Sequence, residues 1–143
     1  MKIIVIGGAG FLGSHVADEL TKAGHDVTIY DKTESRNLLP KQKMILGDIT
    51  NYDAIDDIIA QNEIVYHFAG IAGIKDASDN PIATVKNNIL ATTYILESCK
   101  KHKIKRFVFA SSIYVYSDLG SFYRTSKQAC ELLIENYNKI YNL

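Results

Sequence analysis

The sequence has only two cysteines, Cys99 and Cys130, among 143 residues. They show no metal-ligand spacing and no disulfide framework. The expected state is two buried free thiols in a reducing, cytoplasmic setting. No apolar run approaches the roughly 20 residues that span a bilayer. The apolar start Met1–Ile6 is broken by Gly7-Gly8, which is too short for a signal-peptide core and lacks a small-residue cleavage pattern. Net charge is also lacking, because sixteen Lys+Arg balance sixteen Asp+Glu. That balance gives no electrostatic ground for nucleic acid or an anionic membrane as a partner. Prolines number two, and there is no linker, internal repeat or low-complexity segment. What is present is 47% hydrophobic and 22% charged, over a length that fits one domain with a real core. Disorder is excluded on the same composition.

The hydrophobic period switches repeatedly along the chain. Lys2–Ile6 is a continuous apolar run, as in a strand buried on both faces. Phe11–Ala23 carries Phe11, Val16 and Leu20 at helical spacing and ends at Gly24 as a C-terminal cap. Asp26–Tyr30 is a β-rich run ending at Asp31, and Met44–Leu46 is a short strand after a polar stretch that holds Pro40. Thr50 or Asn51 caps a helix through Ile59, with Ile55, Ile58 and Ile59 on one face. Glu63–His67 is a further strand, with His67 expected as a buried histidine at its end, and Ile71–Asn80 is a loop. Pro81 starts a helix to Lys101, whose inner face is Val85, Ile89, Thr92/Thr93, Leu96 and Cys99. Arg106–Ala110 is a strand and Ser111–Ser121 a loop. Phe122–Tyr141 is the last helix, with Ala129, Leu132, Leu133 and Tyr137 inward. The cationic run Lys100–Arg106 complements a helix C-terminus. Strand and helix alternate throughout. The expected fold class is therefore α/β, a Rossmann-type doubly wound parallel sheet of five strands flanked by helices.

The first strand-to-helix junction reads Gly7-Gly8-Ala9-Gly10-Phe11-Leu12-Gly13. Gly7 lets the chain turn sharply out of the strand. Gly10 lets backbone approach a pyrophosphate, and Gly13 lets the helix pack closely on the sheet. The helix N-terminus offers free N–H groups and positive potential to phosphates. A glycine triplet alone is weak, but this one lies at the junction where the motif has its mechanism. Asp31 ends the second strand, where a carboxylate accepts hydrogen bonds from the adenosine ribose hydroxyls and repels a 2′-phosphate. NAD is therefore favoured over NADP. Lys32 stands beside it, and Asp48-Ile49 sits at the edge that reaches adenine. Tyr123 and Lys127 are four residues apart and share a helix face. A nearby ammonium favours phenolate, which suits a general base. Ser111-Ser112 follows a buried strand at the end of the sheet where ligands of this architecture bind.

Together these residues resemble the extended short-chain dehydrogenase/reductase family, the sugar-nucleotide epimerases and dehydratases. The resemblance covers essentially the whole chain, in order. Gly7–Gly13 resembles its nucleotide loop, and Asp31 and Asp48-Ile49 its ribose and adenine contacts. Tyr66-His67-Phe68-Ala69-Gly70 is similar to the segment along the cofactor, and Asn88-Ile89-Leu90-Ala91-Thr92 to its Asn-x-x-Gly-Thr helix motif. Phe109-Ala110-Ser111-Ser112 with Val115-Tyr116 resembles the serine strand, and alignment on Tyr116 selects Ser112. The resemblance implies NAD as cofactor and a nucleotide-sugar substrate, UDP-, GDP- or dTDP-linked. Tyr123 would take a proton from a sugar hydroxyl, Lys127 would bind the nicotinamide ribose and lower the tyrosine pKa, and Ser112 would hold the reacting oxygen. Cofactor contacts are implied at Gly7, Gly10, Phe11, Leu12, Gly13, Asp31, Lys32, Asp48, Ile49, Phe68, Ala69, Gly70, Asn88, Tyr123 and Lys127. A homodimer through helices 81–101 and 122–141 is implied as well. Ala91 and Ser117 depart from family glycines, and only eleven positions lead from Ser112 to Tyr123. The expected assignment for residues 1–143 is the NAD-binding portion of such an enzyme. A reductase of another substrate and a non-catalytic dinucleotide-binding module are the alternatives.

Overall fold

The computed structural model describes residues 1–143. Its elements are β1 (Lys2–Ile6), α1 (Phe11–Lys22), β2 (Asp26–Asp31), β3 (Lys43–Leu46), α2 (Tyr52–Ile59), β4 (Ile64–His67), α3 (Ile74–Asp79), α4 (Pro81–Thr84), α5 (Ala91–Lys101), β5 (Arg106–Phe109) and α6 (Ser121–Tyr141). A π-helical turn (Val85–Leu90) joins α4 to α5, and a 3₁₀ turn (Ile113–Tyr116) follows β5. All strands are parallel, in the order β3-β2-β1-β4-β5. The chain builds outward from β1 to β3, returns across β1, and builds the other way through β4 and β5. The crevice between the C-terminal ends of β1 and β4 is therefore the topological switch point, where ligands of open α/β sheets bind.

The alternation of side chains along β1 divides the core into two layers. Ile4 and Ile6 join Tyr30, Ile55, Ile59, Val65, Ile95, Cys99 and Ile104 under α2 and α5. Val5 joins Ala17, Val27 and Ile29 under α1. Burying an Ile or Val side chain stabilises by about 1.5–3 kcal/mol, and both faces of β1 collect that term. Burial also explains the inert thiols, since the Cys99 pKa is pushed up to about 12 by desolvation.

Four local expectations are corrected. Ile74–Asp79 is a helix, not loop. It buries only Ala77, so its sequence carries no apolar stripe, and it is held by the Lys75–Asp79 ion pair and the Ser78 hydroxyl donating to Ile74 O at 2.9 Å. Part of 111–121 forms the 3₁₀ turn, started by the Ser112 Oγ accepting from Tyr114 N–H at 3.3 Å. Val85, expected inward, is 50% exposed, whereas Thr84 and Asn88 are buried. The π turn adds a residue to one helical turn, with Ala91 N–H bonding Lys86 O five residues back, and this shifts the phase of everything before it. On α6 the inner residues are Ser126, Lys127 and Cys130, and Leu132 is 61% exposed.

Candidate active site

The glycine loop leaves β1 through Gly7, whose φ of +82° is the left-handed region that glycine tolerates. A Cβ there would lie 2.4 Å from Ala69 N, so only glycine lets the β1 and β4 ends approach. A Cβ on Gly13 would lie 2.2 Å from Gly7 O, which locks the first turn of α1 against the loop. Gly10 differs: a Cβ there would meet only Gly7 O, at 3.3 Å, so the space above it is open. The N–H groups of Phe11, Leu12 and Gly13 have no partner within α1, as at any helix start. Such a cradle fits a pyrophosphate. Phe11 is 80% exposed beside it, because Gly13 and Ala17 make the contact with the sheet.

A cleft of about 230 Å³ runs from Gly7 and Gly10 past Asp31, Lys32, Asp48 and Ile49 to Phe68–Ile71. The Asp31 carboxylate accepts from Ala9 N–H at 3.0 Å and from Thr33 N–H at 3.2 Å, so it sits against the loop. Asp48 accepts from both Thr50 N–H and Thr50 Oγ at 2.8 Å, and these bonds hold its carboxyl below the usual range. The cap of α2 is Asn51, which leaves Asp48 at the cleft. Gly47 and Asn87 also line the cleft and were not expected there. Asn87 carries no motif of its own; its only signal is adjacency to Asn88. Asn88 instead directs its side chain to Ile71 and Ser126, since it is buried between the loop after β4 and α6.

Tyr123 and Lys127 lie on the first two turns of α6. Lys127 Nζ donates to Ala110 O at 2.8 Å and lies 4.5 Å from the centre of the Phe109 ring and 5.9 Å from that of Tyr123. Burial pushes the Lys127 ammonium below the usual lysine value. Tyr123 packs edge-on against Tyr114, with ring centres 6.4 Å apart. Ser112 opens the 3₁₀ turn at the end of β5, while Ser111 turns away to bond Glu131. Ser112, Tyr123 and Lys127 do not line the cleft at the glycine loop; Ser112 follows β5, and Tyr123 and Lys127 lie on α6.

Residues 3–143 match the family model described as NAD dependent epimerase/dehydratase family. The chain belongs to that family. UDP-glucose 4-epimerase of Bacillus subtilis (strain 168) is 36% identical over 128 residues, 81% of this chain and 38% of that protein. The crystal structure of UDP-glucose 4-epimerase from Thermotoga maritima with UDP-glucose aligns at a TM-score of 0.93 and 27% identity, over 100% of this chain and 53% of that one. The enzyme from Brucella ovis in complex with NAD aligns at 0.89 and 26% identity, over 99% and 49%. The chain thus spans about half the length, or less, of these members of the epimerase/dehydratase family.

His67, at the end of β4, has a measurable consequence for stability. It is fully buried at the end of β4, and desolvation, helped by the nearby Lys127 charge, lowers its pKa from 6.5 to about 3. Below pH 6.5 the unfolded chain takes up a proton that the folded chain refuses. Stability is therefore complete above that pH and falls as the pH drops toward 3, by about 1.4 kcal/mol per unit. Urea unfolding at about pH 7 and about pH 5 is expected to differ by roughly 2 kcal/mol from this residue, and His67→Gln is expected to remove that component.

Proposed function

We propose that this chain binds NAD along the C-terminal ends of β1, β2 and β4, and that it serves the interconversion of a nucleotide-linked sugar, most simply a UDP-hexose. One observation carries the reading: the open cradle over Gly10 and the Asp31 carboxylate face one cleft at the topological switch point. The N–H groups of Phe11, Leu12 and Gly13 would hold the phosphates, Asp31 the ribose hydroxyls, and Asp48 and Ile49 the adenine. Phe68, Ala69 and Gly70 line the path toward α6. Bound NAD supplies hydride acceptance and return at its nicotinamide. Tyr123 takes the proton from the reacting sugar hydroxyl, and the Lys127 charge stabilises the resulting phenolate. Ser112 holds the same oxygen. After the keto-sugar turns its other face, Tyr123 gives the proton back.

Calorimetry on Asp31→Ala tests the cofactor assignment. Loss of the charge-assisted ribose bonds is expected to weaken NAD⁺ by about tenfold or more. NADP⁺ also suffers from the freed Ala9 N–H but escapes a charge repulsion, so it is expected to lose less. Equal losses for the two cofactors would remove Asp31 from the ribose site.

The same reading places a homodimer on the helices of residues 81–101 and 121–141. Ile82 is 82% exposed, and Leu90, Leu132 and Ile140 also face outward. Such a second apolar face favours a partner helix. Tyr94 is half-covered by Tyr52, at 5.3 Å between ring centres. Light scattering is expected to give a dimer mass for the chain and a monomer mass for Ile82→Glu; a monomeric parent would remove the interface.

A further inference from the structure

The buried bonds around the π turn form a closed circuit that the proposed mechanism does not use. Thr92 Oγ carries a single hydrogen and gives it to Asn88 O, at 2.5 Å. His67 Nε2 lies 3.0 Å from the Thr92 hydroxyl oxygen and must therefore bring the hydrogen to it. This fixes the neutral Nε2–H tautomer and leaves Nδ1 buried without a partner. Asn88 O also receives the Cys130 thiol of α6 at 3.2 Å. The Asn88 side chain bonds both Ile71 N and O, at 2.7 and 3.0 Å, and donates to Ser126 Oγ at 2.9 Å. Ser126 Oγ donates in turn to Tyr123 O at 2.8 Å. A second route also begins at His67: its carbonyl accepts from Ala110 N–H at 3.1 Å, and Ala110 O accepts from Lys127 Nζ. Both routes end on the turn of α6 that presents Tyr123 and Lys127.

We propose that His67 and Thr92 are positioning residues: acting through the carbonyl of Asn88, they hold the π turn and so set the rotation of α6 that directs Tyr123 and Lys127 at the nicotinamide half of the dinucleotide site. This deepens the NAD-binding reading and rests on it. A merely space-filling pair at this place would be apolar, since a buried imidazole with one bare nitrogen is costly. The adenosine half, built on Gly7–Gly13 and Asp31, shares none of these bonds. The two halves of the cofactor therefore respond differently when the circuit is opened.

Calorimetry with NAD⁺ and with ADP, which fills only the adenosine half, separates the roles. The parent chain is expected to bind NAD⁺ more tightly than ADP. Thr92→Val keeps the shape and removes the hydroxyl. It is expected to weaken NAD⁺ by about tenfold, with ADP within about twofold, and Thr92→Ser is expected to restore the preference. An unchanged preference in Thr92→Val, or equal loss of both ligands, overturns the proposal. A parent chain that binds ADP without preferring NAD⁺ overturns it alone, whereas one that binds neither removes the functional reading as well. If Thr92→Val does not fold, nitrogen NMR of the histidine-labelled parent still decides. The Nε2–H tautomer at His67 supports the circuit, and the Nδ1–H tautomer or an imidazolium at neutral pH overturns it.

Discussion

On the function proposed above, Tyr123→Phe is expected to lower kcat for nucleotide-sugar interconversion in a complete version of the enzyme by a factor on the order of 10²–10⁴. The substitution keeps the ring that packs on Tyr114 and deletes only the hydroxyl. The nearby Lys127 ammonium is largely removed from water, so its field on the phenol is stronger than an exposed lysine would exert. NAD affinity is expected to stay nearly unchanged, because the cradle and Asp31 are untouched. The measurement is turnover beside calorimetry on the same preparation. Near-normal turnover would mean that another group takes the proton.

Gly13→Ala is expected to act on both stability and binding. The added Cβ would stand 2.2 Å from Gly7 O and 2.9 Å from Gly8 Cα, both backbone atoms that cannot swing aside. Either α1 lifts from the sheet or the loop moves. Overpacking of this kind costs about 1–3 kcal/mol, and a displaced loop would take its N–H groups from the proposed phosphate site. Gly10→Ala is the informative contrast, because its Cβ meets only Gly7 O at 3.3 Å. That variant is expected to melt close to the parent while losing NAD through a methyl group in the ligand's place. Thermal melts and calorimetry on the pair check this; equal melting losses would mean that Gly10 is a packing glycine like Gly13.

The strand ladder was legible because β1, β2 and β4 are near-continuous apolar runs between glycine and polar breaks, and burial on both faces leaves no other reading. The glycine loop and Asp31 were legible because the motif depends on local backbone requirements. The phase of the helix before Asn88 was not, because a 3.6-residue period carries no mark of a single five-residue hydrogen bond. Only the packed side chains of His67, Thr92 and Ser126 show what the wider turn accommodates. Likewise α6 turns Ser126 and Lys127 inward and Leu132 outward, the reverse of a hydrophobicity ranking, because the inward polar groups are satisfied by Asn88, Tyr123 O and Ala110 O. Asn87 was missed for the same reason: which of two adjacent asparagines reaches the cleft depends on that phase.

The double engagement of Asp31 has a consequence for redesign. One oxygen of its carboxylate anchors the glycine loop through Ala9 N–H, while the group as a whole lines the cleft proposed to take the ribose. Loop order and cofactor selectivity are therefore not independent variables in this chain. Exchanging Asp31 for a small neutral residue, to admit a 2′-phosphate, also releases the backbone that the proposed function assigns to the phosphates. A selectivity switch here has to keep an acceptor for Ala9 N–H while it presents a cation to the added phosphate. Asp31→Asn retains an acceptor oxygen and sheds the charge, and Lys32 already stands beside it, so that exchange is the smallest that meets both demands.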